Sequence, residues 1–543
     1  MGANGVRLVN RRLSLVFLLF APLAVAAPRP TVIFRDDFER DNPWTFLCRG
    51  VGEQKLDNAQ FHGGKRALLG ISDRFELLHV RKNFKLKEQH ARLSFWCYAD
   101  YEPGDEFWTR LVVGMAPTGS DRLAWVSLTP PSPRQWVRRE LLVEEISPAL
   151  SGANLNRLDI GLRGRGAELK LSLDEVVLEN DLPESVWKPA GQPIAPPTFA
   201  PGPLTWAVKE KVRAIYATPG RGEGARYRDL FQAPINTVLL GSADPDTVVE
   251  WAARCTAYNR HLFLVLPAFR PLTELPDGKT LRRAQFADAI DEAAVCPREV
   301  RFWEGAFAET MKSVAELAAL VKIEGVVLDL RLPAGSKHPS YSQLESCLCD
   351  DCFDAFLKEQ KSLERAQYIH LFERRLFLVR RGWLRRYAIW MESMMIDLAR
   401  NAATSVRAQH KNFVLGIFGF DNSWLARGLA QGFASTGVPV LLLSSEPART
   451  EGYNVRVRES TAAARQLGFP VLFVPGLTTE SAQPSLAEHL ARAGLGSDGF
   501  WVTPPAVNQS GAITKLGNEI RDGYTRLRDR LEAAPAPRKS TKK

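Results

Sequence analysis

Three thiols fall within six residues at Cys347, Cys349 and Cys352, in the stretch "CLCDDC". Cys347 and Cys349 are too close to bond each other comfortably, whereas thiolates spaced C-x-C-x-x-C converge readily on one ion. A closed tetrahedral zinc site takes all four ligands from protein. Cys296, upstream in "AAVCPREV", supplies the fourth. A disulfide arrangement and thiol redox chemistry are the alternatives for the same residues. A second set of reactive groups consists of carboxylates at the ends of apolar runs. Asp329 closes "GVVLDL", where an ionisable side chain costs free energy unless it is paired or faces a cleft. The neighbouring Arg331 makes an ion pair the competing reading. Asp421 follows "GIFGF" and also suits a helix N-cap. Glu446 follows "LLLSS" and equally suits the start of a loop. Glu480 lies past "FVPGLTT", where a helix dipole would favour it.

The elements around these residues change character along the chain. Residues 28–180 alternate apolar and polar residues in short runs such as "ARLSFWCYAD", "RLAWVSLTP" and "LKLSLDEVVLEN". This period predicts an all-β antiparallel jelly-roll sandwich. Residues 181–204 are rich in proline, which favours an extended spacer. From 205 to 533, eight continuous apolar runs alternate with helical stretches: "VRAIYATP", "NTVLLGS", "HLFLVLPAF", "GVVLDLRLP", "FVLGIFGF", "VPVLLLSS", "FPVLFVPG" and "DGFWVTPP". Strands buried on both faces belong to a parallel sheet covered by helices. Eight of them fit an α/β (β/α)8 TIM barrel, with a doubly wound open sheet as the alternative. "TPGRGEG" lacks dinucleotide-fingerprint spacing. The fold class is therefore multidomain.

"CPREVRFWEGAFAETMKSVAELAAL", "IEGVVLDLRLP" and "CLCDDCFDAFL", in that order, resemble a run in glycoside-hydrolase-like barrels. The sequence is distantly similar there to the family 42 β-galactosidases, and closer to uncharacterised hydrolase-like barrels with an aspartate ending the fourth strand. The sandwich resembles carbohydrate-binding modules in its layout, through "RDDFERDNPW", "HGGKRALLG" and "LSLDEVVLEN". The resemblance implies a structural zinc on Cys296, Cys347, Cys349 and Cys352. It also implies hydrolysis of poly- or oligosaccharides by a carboxylate pair at the C-terminal face of the barrel. One carboxyl would protonate the leaving oxygen while the other serves as nucleophile or base. Asp329 with Glu446 is the expected pair. The family 42 enzymes carry Asn-Glu where this chain reads Asp329-Leu330, so their catalytic glutamate is missing. A non-catalytic polysaccharide-binding protein on a degenerate barrel is the rival expectation.

Tyr216, Phe418, Phe420 and Trp501 at strand ends, with Arg331 and Asp421, are the expected substrate contacts, aromatic faces stacking on sugar rings. Core packing is the competing role for each aromatic. Trp44, Trp108, Trp125 and Trp136 are candidate sugar platforms in the sandwich. Asp36, Asp37 and Asp174 are candidates for a calcium ion there. Cys48 and Cys97 could form a disulfide or stay as buried thiols, and Cys255 reads as core.

Residues 1–27 read as a signal peptide, with basic residues before "LSLVFLLFAPLAVAA" and small residues at Ala24 and Ala26. An uncleaved anchor is the other reading. The expectation is a secreted or periplasmic, cell-envelope protein without a transmembrane span after signal removal. The formal charge of +10 draws on Arg7, Arg11, Arg12, the basic tail 534–543 and the stretch "FERRLFLVRRGWLRRYAIW". The last of these reads as a solvated helix face. No aromatic-interleaved basic motif argues for nucleic acid.

Overall fold

The computed structural model describes residues 30–40, 44–48, 52–72, 76–101, 109–164, 169–183, 197, 202–218, 227–268, 281–285, 290–331, 347–420, 423–435, 437–444, 453–477, 486–504 and 511–533.

Alternation in the first part resolves into two antiparallel sheets, one of six strands and one of five. The strand Asn154–Gly164 shows the logic. Leu158, Ile160 and Leu162 are buried in the core between the sheets, and Asp159, Gly161 and Arg163 take the other face. Leu93, Phe95, Cys97, Leu171 and Leu173 complete that core from the six-stranded sheet. Burial raises the Cys97 thiol to about 12. Cys48 and Cys97 are not disulfide-bonded, so the disulfide reading does not hold.

Each of the eight apolar runs beyond residue 205 forms a strand of one parallel sheet. In chain order these are Val212–Ala217, Thr237–Leu240, His261–Pro267, Gly325–Asp329, Val414–Phe418, Val440–Leu443, Val471–Val474 and Gly499–Val502. The two-residue strand Gly476–Leu477 follows a break at Pro475 and pairs with Gly499–Val502, making nine strands in a nearly closed barrel. Two hydrogen bonds span the seam, Asp498 N–H to the Phe473 carbonyl at 3.0 Å and Trp501 N–H to the Pro475 carbonyl at 2.9 Å. Val327, Phe418, Leu441, Leu472 and Trp501 fill the interior. Helices follow the strands, and two start on side-chain caps: Asp244 accepts from Thr247 N, and Ser423 from Ala426 N.

The barrel floor is tied by buried polar groups. Arg465 donates to both oxygens of Asp498 (2.6 and 2.7 Å), Phe473 N–H donates to the same carboxylate at 2.8 Å, and Lys211 Nζ donates to the Ser497 carbonyl at 2.7 Å. Burial lowers the Lys211 pKa. Gly499 has φ +148°, and a Cβ there would collide with the Val212 carbonyl.

The two domains meet at one carboxylate. Glu459, on helix Tyr453–Arg465, pairs with Arg139 of the sandwich at 3.1 Å and accepts from Thr129 N at 3.2 Å. Val455, one turn earlier, packs into the sandwich core. Gly499→Ala combines a disfavoured φ with a clash at the seam. It is expected to destabilise the barrel by roughly 3 kcal/mol or more, read as a lowered midpoint in urea with the sandwich transition unchanged.

Candidate functional site

Four sulfurs meet where the sequence expects them to. Cys296 Sγ lies 3.7, 3.8 and 3.5 Å from those of Cys347, Cys349 and Cys352, all four residues are buried, and the ligand atoms lie within 4.8 Å of one another. Sulfurs at these separations are not disulfide-bonded, and all four cysteines are free. A tetrahedral ion with metal–sulfur bonds of about 2.3 Å spaces its sulfurs about 3.8 Å apart, which these separations match. The group can hold a metal ion. Its surroundings are built to keep it: Leu348 N–H bonds the Gln285 carbonyl at 2.7 Å, and Tyr387 Oη donates to the Cys347 carbonyl at 2.6 Å. Arg374 donates to the Leu348 carbonyl at 2.7 Å and to Asp350 at 2.6 Å. Arg282 pairs with Asp351 beside the cluster; burial opposes its charge, but the sulfurs and Asp351 outweigh that and raise its pKa. A tetrathiolate bound to a divalent ion carries net negative charge, which this guanidinium offsets.

The second site lies at the end of the strand Gly325–Asp329. Asp329 is the only carboxylate in the nine barrel strands. It shares the alternation of the interior residue Val327 and stands at the C-terminal mouth. Arg331 holds it through Nε (3.0 Å to Oδ1, 2.9 Å to Oδ2) and Nη2 (2.6 Å to Oδ2). The same Nη2 donates to Tyr216 Oη at 3.1 Å, and the guanidinium lies 4.6 Å from the Phe418 ring centre. Burial alone would lower the Arg331 pKa; the Asp329 carboxylate outweighs it and the pKa rises. Tyr216 and Phe418 rings are 5.3 Å apart, and Phe418 and Trp501 4.9 Å.

Tyr216, Asp329, Arg331 and Trp501 are therefore brought together, but their roles divide. Trp501 is fully buried, its indole pressed against Gly476, so it packs the barrel instead of offering a stacking face. Phe420 is also buried and packs near Phe473. It lines a cleft of about 450 Å³ between the domains, with Arg110, Arg139, Arg456 and Glu459. Asp421, Glu446 and Glu480 lie outside the described residues.

In the sandwich the three calcium candidates have other partners. Asp36 accepts from Trp44 Nε1 and Lys82 Nζ, both at 2.8 Å, Asp37 accepts from Glu39 N, and Asp174 accepts from the amides of His62, Gly63 and Glu175. Among the described residues only the four cysteines form a metal-ligating group. Trp44 is core, and Trp108 lies outside the described residues. Trp136 stands half-buried near Tyr98 and His62 on the outer face of the six-stranded sheet.

Trp125 sits half-exposed on the outer face of the five-stranded sheet, lying over Gly114, where a Cβ would meet its ring at 2.7 Å. Sequence reading misses what lies beside it. Asp159 is fully buried on that face, gripped by Arg81 Nε and Nη2 at 2.9 and 2.8 Å, with His79 Nδ1 3.1 Å away. His79 in turn stacks near Trp125 at 5.9 Å. Only the out-facing position of Asp159 in "RLDIGL" hinted at this group. An aromatic face beside a fixed row of donors is a surface suited to a sugar ring.

No protein-family model and no curated protein matches the chain. Among solved structures it is similar to the Clostridium thermocellum endo-1,4-β-D-xylanase 10B CBM22-1–GH10 modules complexed with xylohexaose. That match has 10% identity and a TM-score of 0.31, over 92% of this chain and 97% of that one. It is also similar to the Podospora anserina GH26-CBM35 β-(1,4)-mannanase, at 10% identity and TM-score 0.34, over 89% and 96%. The sandwich alone is similar to the CBM22-1 xylan-binding domain from Paenibacillus barcinonensis Xyn10C, at 16% identity and TM-score 0.21, over 28% and 97%. Likeness this distant decides no chemistry, which rests on the residues above.

Burial opposes ionisation of Asp159, but His79 and Arg81 outweigh it and lower its pKa. Its contribution to stability is therefore full above about pH 4, the ordinary carboxylate value, and is lost as pH falls through the depressed folded value. Asp159→Asn is expected to cost on the order of 3 kcal/mol at pH 7. Melting curves from pH 7 down to pH 2 should show a smaller acid-induced loss in the variant than in the parent.

Proposed function

We propose that this chain is a secreted or cell-envelope carbohydrate-active protein, with a polysaccharide-binding jelly-roll sandwich and a glycoside-hydrolase-like barrel. The observation that carries the reading is Asp329, the single carboxylate of the nine barrel strands, at the barrel mouth under the half-exposed guanidinium of Arg331, which also bonds Tyr216. Arg331 fixes the carboxylate in one orientation, as a positioned nucleophile or water-activating base requires. Tyr216 and Arg331 would position the sugar. The acid that protonates the leaving oxygen would come from the loop after Val440–Leu443, where Glu446 stands in the sequence. Counting Val471–Val474 and Gly476–Leu477 as one strand interrupted at Pro475 makes the barrel eightfold, the form whose C-terminal loops carry chemistry.

Zinc is the ion proposed for Cys296, Cys347, Cys349 and Cys352, since four thiolates at tetrahedral spacing with no open position make a structural site. There the ion would fix the long insertion after the fourth strand to the barrel, away from any reaction step.

A specific observation favours the second reading, a polysaccharide-binding protein without turnover. Arg331 engages both oxygens of Asp329, leaving the carboxylate less open to attack an anomeric carbon.

Hydrolysis of a polysaccharide and aryl-glycoside panel by the parent and Asp329→Asn separates the two. The enzyme reading expects turnover in the parent and a loss of at least about 10³-fold in the variant. No turnover on any substrate, with equal polysaccharide retention by both proteins, supports the binding reading. Metal analysis is expected to give one zinc per chain. Cys349→Ser should lose the metal and lower the melting temperature, whereas a redox pair would bind none and exchange with reductants.

A further inference from the structure

The insertion held by the four cysteines has a surface that the barrel does not use. Helix Asp350–Glu359 leads into a turn, helix Leu371–Arg380 and then the long helix Leu384–Gln409. The inner side is anchored: Phe353 and Phe356 pack around Tyr387, and Arg374 reaches back to Asp350 and the Leu348 carbonyl. On the outer side, large apolar side chains face water. Leu363 is 96% exposed, Tyr368 74%, Phe372 54% and Leu376 45%, with Ile389 at 48% on the next helix. Phe372 and Leu376 are one turn apart on the same helix face, and Arg380 follows one turn on. The His370 and Phe372 rings lie 5.1 Å apart.

The same segment is strongly basic. Residues 358–386 hold nine Lys or Arg against three Glu, a net charge of +6, more than half of the +10 of the whole chain. Arg365, Arg380, Arg381 and Arg386 are exposed in the same segment. Solvation alone explains basic side chains, but it does not explain leucine and phenylalanine left in water among them.

We propose that this face docks on the surface of an anionic phospholipid bilayer. Phe372, Leu376, Leu363 and Tyr368 would enter the interfacial layer, while the ring of arginines and lysines pairs with lipid phosphates. Charge decides against a second copy of this chain, because a twofold contact would press two strongly basic patches together. No described helix is long and apolar enough to cross a membrane, so the contact would lie in the plane of the surface. The cysteine cluster then has a mechanical purpose: it stiffens the platform that presents this face. The inference does not depend on the barrel having activity.

The test is co-sedimentation of the chain lacking residues 1–27, so that the apolar N-terminal run cannot itself partition. Vesicles of phosphatidylcholine alone are compared with vesicles containing phosphatidylglycerol. Expected is binding to the anionic vesicles only, weakened at least tenfold by 0.5 M salt. Phe372→Ser/Leu376→Ser and Arg380→Gln/Arg381→Gln should each lower it by about tenfold or more. The salt titration needs no variant, so a variant that fails to fold leaves the idea exposed to refutation. Absence of binding, equal binding to both vesicle types, or sedimentation without vesicles through self-association would each overturn it. A polysaccharide-retention assay on the same samples reports separately on the function proposed above.

Discussion

Four sulfurs that must approach within bonding reach of one point impose the strictest constraint in this molecule. Cys296 comes from the segment after the third barrel strand, and Cys347, Cys349 and Cys352 from beyond the fourth. Satisfying one tetrahedron therefore fixes two excursions relative to each other and to the strand between them, Gly325–Asp329. An ion bound by these thiolates would supply roughly 10 kcal/mol or more of folding free energy. Hydrogen bonds from Tyr387 and Arg374 pass that rigidity into the helices of the insertion, and the Leu348 amide ties the cluster to the Gln285 carbonyl. Without an ion the insertion would rest on its aromatic contacts and on the hydrogen bonds of Arg374 and Tyr387.

The same strand carries the constraint to the barrel mouth. Asp329 ends it, and an isolated carboxylate at the top of an apolar barrel would be costly. Arg331 resolves this within the local sequence, two residues on, and Tyr216 and Phe418 from neighbouring regions of the barrel hold the guanidinium in place. The barrel floor uses the same device with different residues, Asp498 with Arg465 and Lys211 with a carbonyl. One end is closed by these pairs and by Gly499, while the other keeps a half-exposed arginine. That asymmetry is the reason the proposed chemistry is assigned to the C-terminal face.

Charge pairs also organise the sandwich and its joint to the barrel. Asp159 with Arg81 and His79 occupies the outer face of the five-stranded sheet, and Glu459 with Arg139 ties the sandwich edge to a barrel helix. The cleft beside Glu459 reaches from Arg110 and Ser127 of the sandwich to Phe420 of the barrel. A chain-like ligand held on the Trp125 face would thus find the interdomain cleft beside it.

Much of this was legible in the sequence, for physical reasons. Alternation with period two separates core from surface whatever the partner strand, so the sandwich and its buried leucines could be read directly. Continuous apolar runs announce parallel strands in the same way, and C-x-C-x-x-C keeps its thiols close enough to share a ligand because the spacing is covalent. Asp329 stood out because a charge at the end of an apolar run must be explained. What lay beyond the sequence depends on contacts between distant segments. That Trp501 is wholly buried while Tyr216 keeps a partly exposed ring depends on how the last strand closes against Gly476. That Asp159 is sealed between Arg81 and His79 depends on sheet register, and the burial of Phe420 on how it packs against Phe473 in the barrel. Local covalent order and periodicity set which residues are apolar, charged or able to bind metal; only the folded chain decides which of them meet, because that is fixed by packing across hundreds of residues.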